Sequence, residues 1–107
     1  MNNTKYKLHI LMPAQRELEE IALLHLGLVG PNSALKITNR IYDALALLQI
    51  NPNMGMSCKD KPLKRQGYRM LICGNYLCIY RLVGDTVFTY HIVDGRTDYP
   101  KLMKDLE

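Results

Sequence analysis

Residues 67–99 read GYRMLICGNYLCIYRLVGDTVFTYHIVDGRTDY, and this stretch decides the fold. Tyr, Ile, Val, Leu and Phe crowd into segments 68–72, 76–83 and 86–93, the residue types that suit a pleated, half-buried surface. Two short breaks separate the segments, Gly74-Asn75 and Gly84-Asp85. Glycine followed by Asn or Asp signals a tight hairpin, because Gly supplies the positive φ such turns need. Three strands joined by two such turns predict an antiparallel meander. It ends in Asp94-Gly95-Arg96-Thr97-Asp98-Tyr99, a polar segment just past a strand end, where a rigid sheet commonly displays functional groups.

Arg69 and Arg81 sit within the strands, and register decides which face each one takes. A two-residue first turn sets Arg69 opposite Tyr80 and away from Arg81. A third loop residue or a bulge puts both arginines on one face with Leu71, Leu77 and Ile79. The opposite face then holds Tyr68, Met70, Ile72, Cys78, Tyr80 and Leu82. The second arrangement separates charge from core more cleanly and is the one expected here. On the last strand Phe88, Tyr90 and Ile92 are expected inward, and Thr89 and His91 outward. A two-residue Gly84-Asp85 turn does not deliver that pattern without a bulge.

Working outward, residues 6–11 form a first strand, with Tyr6, Leu8 and Ile10 alternating against Lys7 and His9. Pro13 suits the start of a helix, and Glu17, Glu19 and Glu20 place negative charge early in it. Met12 would then be its N-cap. Leu18, Ile21, Ala22, His25 and Leu28 follow a helical stripe, closed by Gly27 and Gly30. A second helix opens at Pro31, capped by Asn32 or Ser33, and ends near Asn51-Pro52-Asn53. Its apolar face is Ala34, Ile37, Ile41, Ala44, Leu45 and Leu48. So short a connection makes the two helices an antiparallel hairpin packed on the sheet. Residues 51–66 read as a polar loop carrying Lys59, Lys61, Lys64 and Arg65. Leu102, Met103 and Leu106 mark a short C-terminal helix within 100–107. The expected fold class is α+β, one domain over residues 1–107: N-terminal strand, antiparallel helix hairpin, three-stranded antiparallel meander completing one sheet, short C-terminal helix.

A chain of 107 residues buries enough surface to fold without a disulfide or metal. Cys58, Cys73 and Cys78 are odd in number and irregular in spacing, which reads as reduced structural thiols. No metal site and no cofactor are implied. No apolar run spans a bilayer, and no apolar signal core stands behind MNNTKYK, so the expected location is the cytoplasm, away from membranes. The net charge of +4 is compatible with a polyanionic partner, either nucleic acid or an acidic protein.

The whole chain resembles the RelE/ParE toxin superfamily. The resemblance is carried by PAQRELEEI at 13–21, GYR at 67–69, GNYLCIYR at 74–81 and GRTDY at 95–99. It implies the toxin half of a type II toxin–antitoxin pair, growth-inhibitory and neutralised by a cognate antitoxin that also mediates any contact with operator DNA. One branch of the superfamily poisons DNA gyrase. The other cleaves mRNA on the ribosome and needs basic side chains around the cleaved phosphate. Two places where ribonuclease members carry such donors read here as Leu71 and Leu77. The YLxxYR and GRxDY forms look more like the ParE-like branch, so gyrase is the favoured target and a non-enzymatic action the favoured mode. The alternative is a RelE-like mRNA interferase using Arg69, Arg81, His91, Arg96 and Tyr99. A further alternative is an inactive, antitoxin-binding or autoregulatory member. The candidate binding residues are Arg69, Arg81, Arg96, Asp98, Tyr99, Lys61, Lys64 and Arg65.

Overall fold

The computed structural model describes residues 5–104. Strand β1 (Lys7–Ile10) leads into helices α1 (Met12–Leu28) and α2 (Pro31–Leu48). A two-residue strand β2 (Met56–Ser57) and a short helix α3 (Lys61–Arg65) follow. Then come β3 (Arg69–Cys73), β4 (Tyr76–Val83), β5 (Thr86–Asp94) and α4 (Tyr99–Lys104). One five-stranded sheet has the order β1-β5-β4-β3-β2, with β1 parallel to β5 and the remaining pairs antiparallel. The expected α+β plan is present. Residues 51–66 are not merely a loop, since they contain β2 and α3. Leu106, expected on the last helix, lies outside the described residues.

Both meander turns have two residues, with Gly74 at φ 61° and Gly84 at φ 62°. The first turn pairs Cys73 with Tyr76 and therefore Arg69 with Tyr80. This overturns the expected shared face for Arg69 and Arg81. Arg69, Leu71, Cys73, Tyr76, Cys78 and Tyr80 face α1 and α2, whereas Met70, Leu77, Ile79 and Arg81 face α3 and α4. The physical reason is that Arg69 need not reach water. Its guanidinium is satisfied by main-chain carbonyls at the sheet edge.

The last hairpin does contain a bulge. Tyr80 pairs with Thr89 and Ile79 with His91, leaving Tyr90 as the extra residue on β5. Ile92 is inward as expected. Thr89 is fully buried rather than outward, because it sits across from Tyr80 on the helix face, and Phe88 is only half-buried. His91 is also buried.

The sheet is covered on its helix-hairpin face and over part of its outer face. From the helix hairpin, Ala14, Leu18, Ile21, Ile41, Leu45 and Leu48 pack on Cys78, Tyr80, Val87 and Ile92. Leu63 and Met103 cover Tyr68, Met70, Leu77, Ile79 and Val93 from the other side. Each fully buried aliphatic or aromatic side chain contributes roughly 1.5–3 kcal/mol of transfer free energy. The helix ends differ from expectation. The N-caps are Leu11 and Gly30, neither with a capping side chain, and Asn32 and Ser33 lie inside the first turn of α2. Leu28 is exposed rather than part of the buried stripe. Glu17 does not serve the start of α1. Its carboxylate accepts the Ile92 N–H at 3.0 Å, closing the edge of β5 beyond the end of β1. Among the described residues no helix is long and apolar enough to cross a membrane.

Candidate functional site

The turn after β5 carries an accessible arginine, Arg96. Asp94 ends the strand, and its Oδ1 accepts both the Arg96 backbone N–H at 2.9 Å and Arg96 Nε at 3.0 Å. Arg96 Nη2 donates to the other carboxylate oxygen at 3.4 Å. The Arg96 hydrogen bond holds the Asp94 carboxyl below its ordinary value, and the same bond pushes the guanidinium up. The turn is braced by the Gly95 N–H, which donates to Asn75 O at 2.8 Å across the sheet end. Of the two carboxylates flanking Arg96, Asp94 is the one that pairs with it. Asp98 instead accepts the Lys101 N–H at 3.3 Å and caps α4. Tyr99 starts α4 and packs, half-buried, on the second core cluster.

Beside this turn lies an open cleft of about 640 Å³. Its walls are the Gly74-Asn75 turn, Tyr76 and Asp94-Gly95-Arg96, and its floor is apolar, formed by Ile72 and Leu77. Sequence reasoning paired Leu77 with Leu71. The observed register turns Leu71 towards the helices, and Ile72 takes its place beside Leu77. The Tyr76 hydroxyl is pushed up, first by burial and second by the Asp94 charge. It lies 3.0 Å from His25 Nε2, and His25 Nδ1 lies 3.2 Å from Ser33 Oγ, so a polar chain ties both helices to the cleft wall.

The other candidates do not converge there. Arg69 is bound into the loop before β2, donating to Gly55 O at 3.0 Å, Asn53 O at 3.2 Å and Ser57 Oγ at 3.4 Å. Tyr80 completes the same knot: its hydroxyl donates to Pro52 O at 2.6 Å and accepts from the Gly55 N–H at 3.0 Å. Gly55 is obligatory at this close approach, since a Cβ there would stand 2.6 Å from Met70 O and 2.7 Å from the Tyr80 hydroxyl. Arg81 lies towards the opposite end of the sheet, its Cζ 4.5 Å from the Tyr68 ring centroid and 5.6 Å from that of Tyr90. His91 Nδ1 is 3.0 Å from both Glu17 carboxylate oxygens, and its Nε2 is buried with no hydrogen-bond partner. That geometry braces α1 against β5 and aims no proton donor at the cleft. Lys61, Lys64 and Arg65 are exposed on α3.

Sequence reasoning missed Gly55, Tyr80 and Glu17 as contact-making residues. Only the Gly at 55, in a segment read as polar, hinted at close packing. Cys58, Cys73 and Cys78 are buried free thiols. Burial pushes the Cys58 thiol up to about 11 and that of Cys78 up to about 12, which keeps both protonated and unreactive near neutrality. Among the described residues no three His, Cys, Asp or Glu side chains gather as a metal-binding group.

Comparison with known proteins places this arrangement. Residues 8–99 match the family model described as the ParE toxin of type II toxin–antitoxin system, parDE. Among solved structures, a chain from a chromosomal ParDE TA system of P. aeruginosa superposes with a TM-score of 0.71 at 24% identity, covering 85% of this chain and 97% of that one. A chain of the toxin–antitoxin complex RelBE2 from Mycobacterium tuberculosis gives 0.59 at 17% identity, covering 87% and 94% respectively. At these identities the superpositions establish a shared fold. No curated protein matches significantly.

Proposed function

Since the chain belongs to the ParE toxin family of type II toxin–antitoxin systems, we propose that it arrests growth in the cytoplasm by docking on DNA gyrase through the Arg96 cleft. The observation that carries this reading is the cleft floor. Cleaving RNA at a 2′-hydroxyl builds a dianionic phosphorane, and losing one positioned donor commonly costs roughly a hundredfold in rate. Here Ile72 and Leu77 form the floor, and the Arg96 guanidinium is shared with Asp94. An apolar floor with a charged lip suits a protein surface: an apolar anchor fills the cleft, and an acidic group on the partner competes with Asp94 for Arg96.

A cognate antitoxin is the second partner in this reading. The outer side of the helix hairpin exposes Leu23, Leu24, Leu26, Leu28, Val29 and Leu35, each between 46% and 76%. So many exposed aliphatic side chains on one helix hairpin are unusual for a protein that works uncovered. With Arg69 and Arg81 on opposite faces, this ridge supports the antitoxin contact better than the arginines do. Operator DNA is reached only through the antitoxin.

The deciding experiment uses purified protein in two assays, gyrase supercoiling and A-site mRNA cleavage on programmed ribosomes. Expected are inhibited supercoiling that Arg96→Ala relieves, and intact mRNA. Prompt mRNA cleavage, lost in Arg96→Ala or Tyr99→Phe, overturns the gyrase reading in favour of an mRNA interferase. Inactivity in both assays leaves an autoregulatory, antitoxin-binding member.

A further inference from the structure

The outer face of the sheet is covered unevenly. Helices α3 and α4 lie over Met70, Leu77, Ile79 and Val93, while the half nearest the Gly84-Asp85 turn is left uncovered. We propose that this uncovered half binds single-stranded nucleic acid, at a place separate from the Arg96 cleft.

Three features support the assignment. The first is a run of rings across the strands. His9 on β1 lies 5.7 Å from Phe88 on β5, Phe88 lies 6.5 Å from Tyr90, and Tyr90 lies 5.1 Å from Tyr68. His9 is exposed, and Phe88 and Tyr90 are half-buried, so each keeps ring surface towards solvent. The second is the fixed guanidinium of Arg81. Nη2 donates to the Tyr90 hydroxyl at 3.1 Å and Nη1 to Gln66 O at 3.4 Å, which holds the planar group among the rings. The third is charge. Lys7 lies on β1, and exposed Lys64 and Arg65 immediately precede the Gln66 that Arg81 contacts. Across β1, α3 and the chain from Arg81 to Tyr90 the sequence carries one carboxylate, Asp85, which lies 3.7 Å from Lys7.

Aromatic rings on an open sheet with cations beside them fit unstacked bases and the phosphates joining them. A duplex offers this face phosphates alone, because its bases are already stacked. A protein partner would meet a single well-exposed aliphatic side chain here, Val83. The bulge at Tyr90 belongs to the same design. Tyr90 follows inward Thr89 onto the outer face, and because it is the extra residue Ile92 can still return to the core.

The test is fluorescence anisotropy of the full chain with labelled oligo(dT) and oligo(rU), each about twelve nucleotides long, and with a duplex of equal length, at about 50 mM salt. Expected is saturable binding of at least one single strand, with the duplex about tenfold weaker. Phe88→Ala should weaken single-strand binding about tenfold, in the range for a lost base–ring stack. Phe88→Leu, which keeps apolar packing, should do the same and separates stacking from folding. Lys64→Ala with Arg65→Ala should flatten the salt dependence. Arg96→Ala should change nothing. A preference for dT or rU tells DNA from RNA, and either result supports the site. Equal affinity for the duplex, or full binding in Phe88→Leu, overturns it. Absence of binding to both strands also overturns it and gives the face to a protein partner.

Discussion

Arg69 lies half-buried at the sheet edge and divides its guanidinium among Gly55 O, Asn53 O and Ser57 Oγ. Arg96, with its side chain 93% exposed, meets one carboxylate on its own turn. Identical side chains thus do different work. The first holds the polypeptide between Pro52 and Ser57 on the sheet, together with Tyr80, and commits all three of its nitrogens to that segment. The second is oriented by Asp94 yet accessible, so an incoming acid can exchange with its neighbour. What distinguishes them is who supplies the acceptors. Main-chain carbonyls cannot leave, whereas an exposed carboxylate can be displaced.

Breaking the knot gives the largest expected effect. Tyr80 is fully buried, and Tyr80→Ala should cost roughly 3–5 kcal/mol in urea unfolding. A loss under about 1 kcal/mol would mean that the knot is dispensable. Gly55→Ala comes next. Its methyl would meet the Met70 carbonyl, which cannot swing away, and about 1–3 kcal/mol should be lost, read as a lower thermal midpoint. Arg69→Met follows, at about 1–2 kcal/mol, since it strips the hydrogen bonds from two loop carbonyls while keeping most of the side-chain bulk. An unchanged stability there would erase the contrast with Arg96.

Arg96→Ala should move stability least, leaving the urea midpoint unchanged, while abolishing growth inhibition. In the same variant the Asp94 carboxyl should return up towards its ordinary 3.8, followed by NMR titration. The sign is that of a depressed carboxylate. The small contribution of the pair is present above the ordinary value and is lost as pH falls through the lower folded one. An Asp94 titration that ignores the loss of Arg96 would show that the pair does not persist in solution.

Much of the fold was legible because glycines mark both hairpin turns and the helices carry clean apolar stripes. The register was not. Separating charge from core is a sound rule for an arginine that must reach water, and Arg69 evades it by bonding to carbonyls fourteen and sixteen residues upstream. Those carbonyls lie in a segment whose elements are too short for periodicity to show, since β2 has two residues and α3 five. At the site, the pairing of Arg96 with a flanking aspartate could be anticipated from sequence proximity. The cleft floor could not, because replacing Leu71 by Ile72 depends on one step of register. Glu17 was assigned to its own helix, and its real partners lie seventy-four and seventy-five residues away.

The extra residue at Tyr90 changes the accounting of β5. Before it, odd-numbered Val87 and Thr89 point towards the helices; after it, even-numbered Ile92 does so. The strand therefore runs in two phases, like a zipper with one surplus tooth. Excising Tyr90 would merge the two phases into one regular ladder, with Ile79 still opposite His91, Cys78 still opposite Ile92 and both Thr89 and Ile92 still inward; what the strand would lose is its local bend and extra twist. The surplus tooth thus bends and twists β5 without changing which side chains beyond it are buried. In relatives, an alignment gap at this one position is therefore compatible with keeping both a buried Thr89 and the Arg96 cleft, whatever the overall identity.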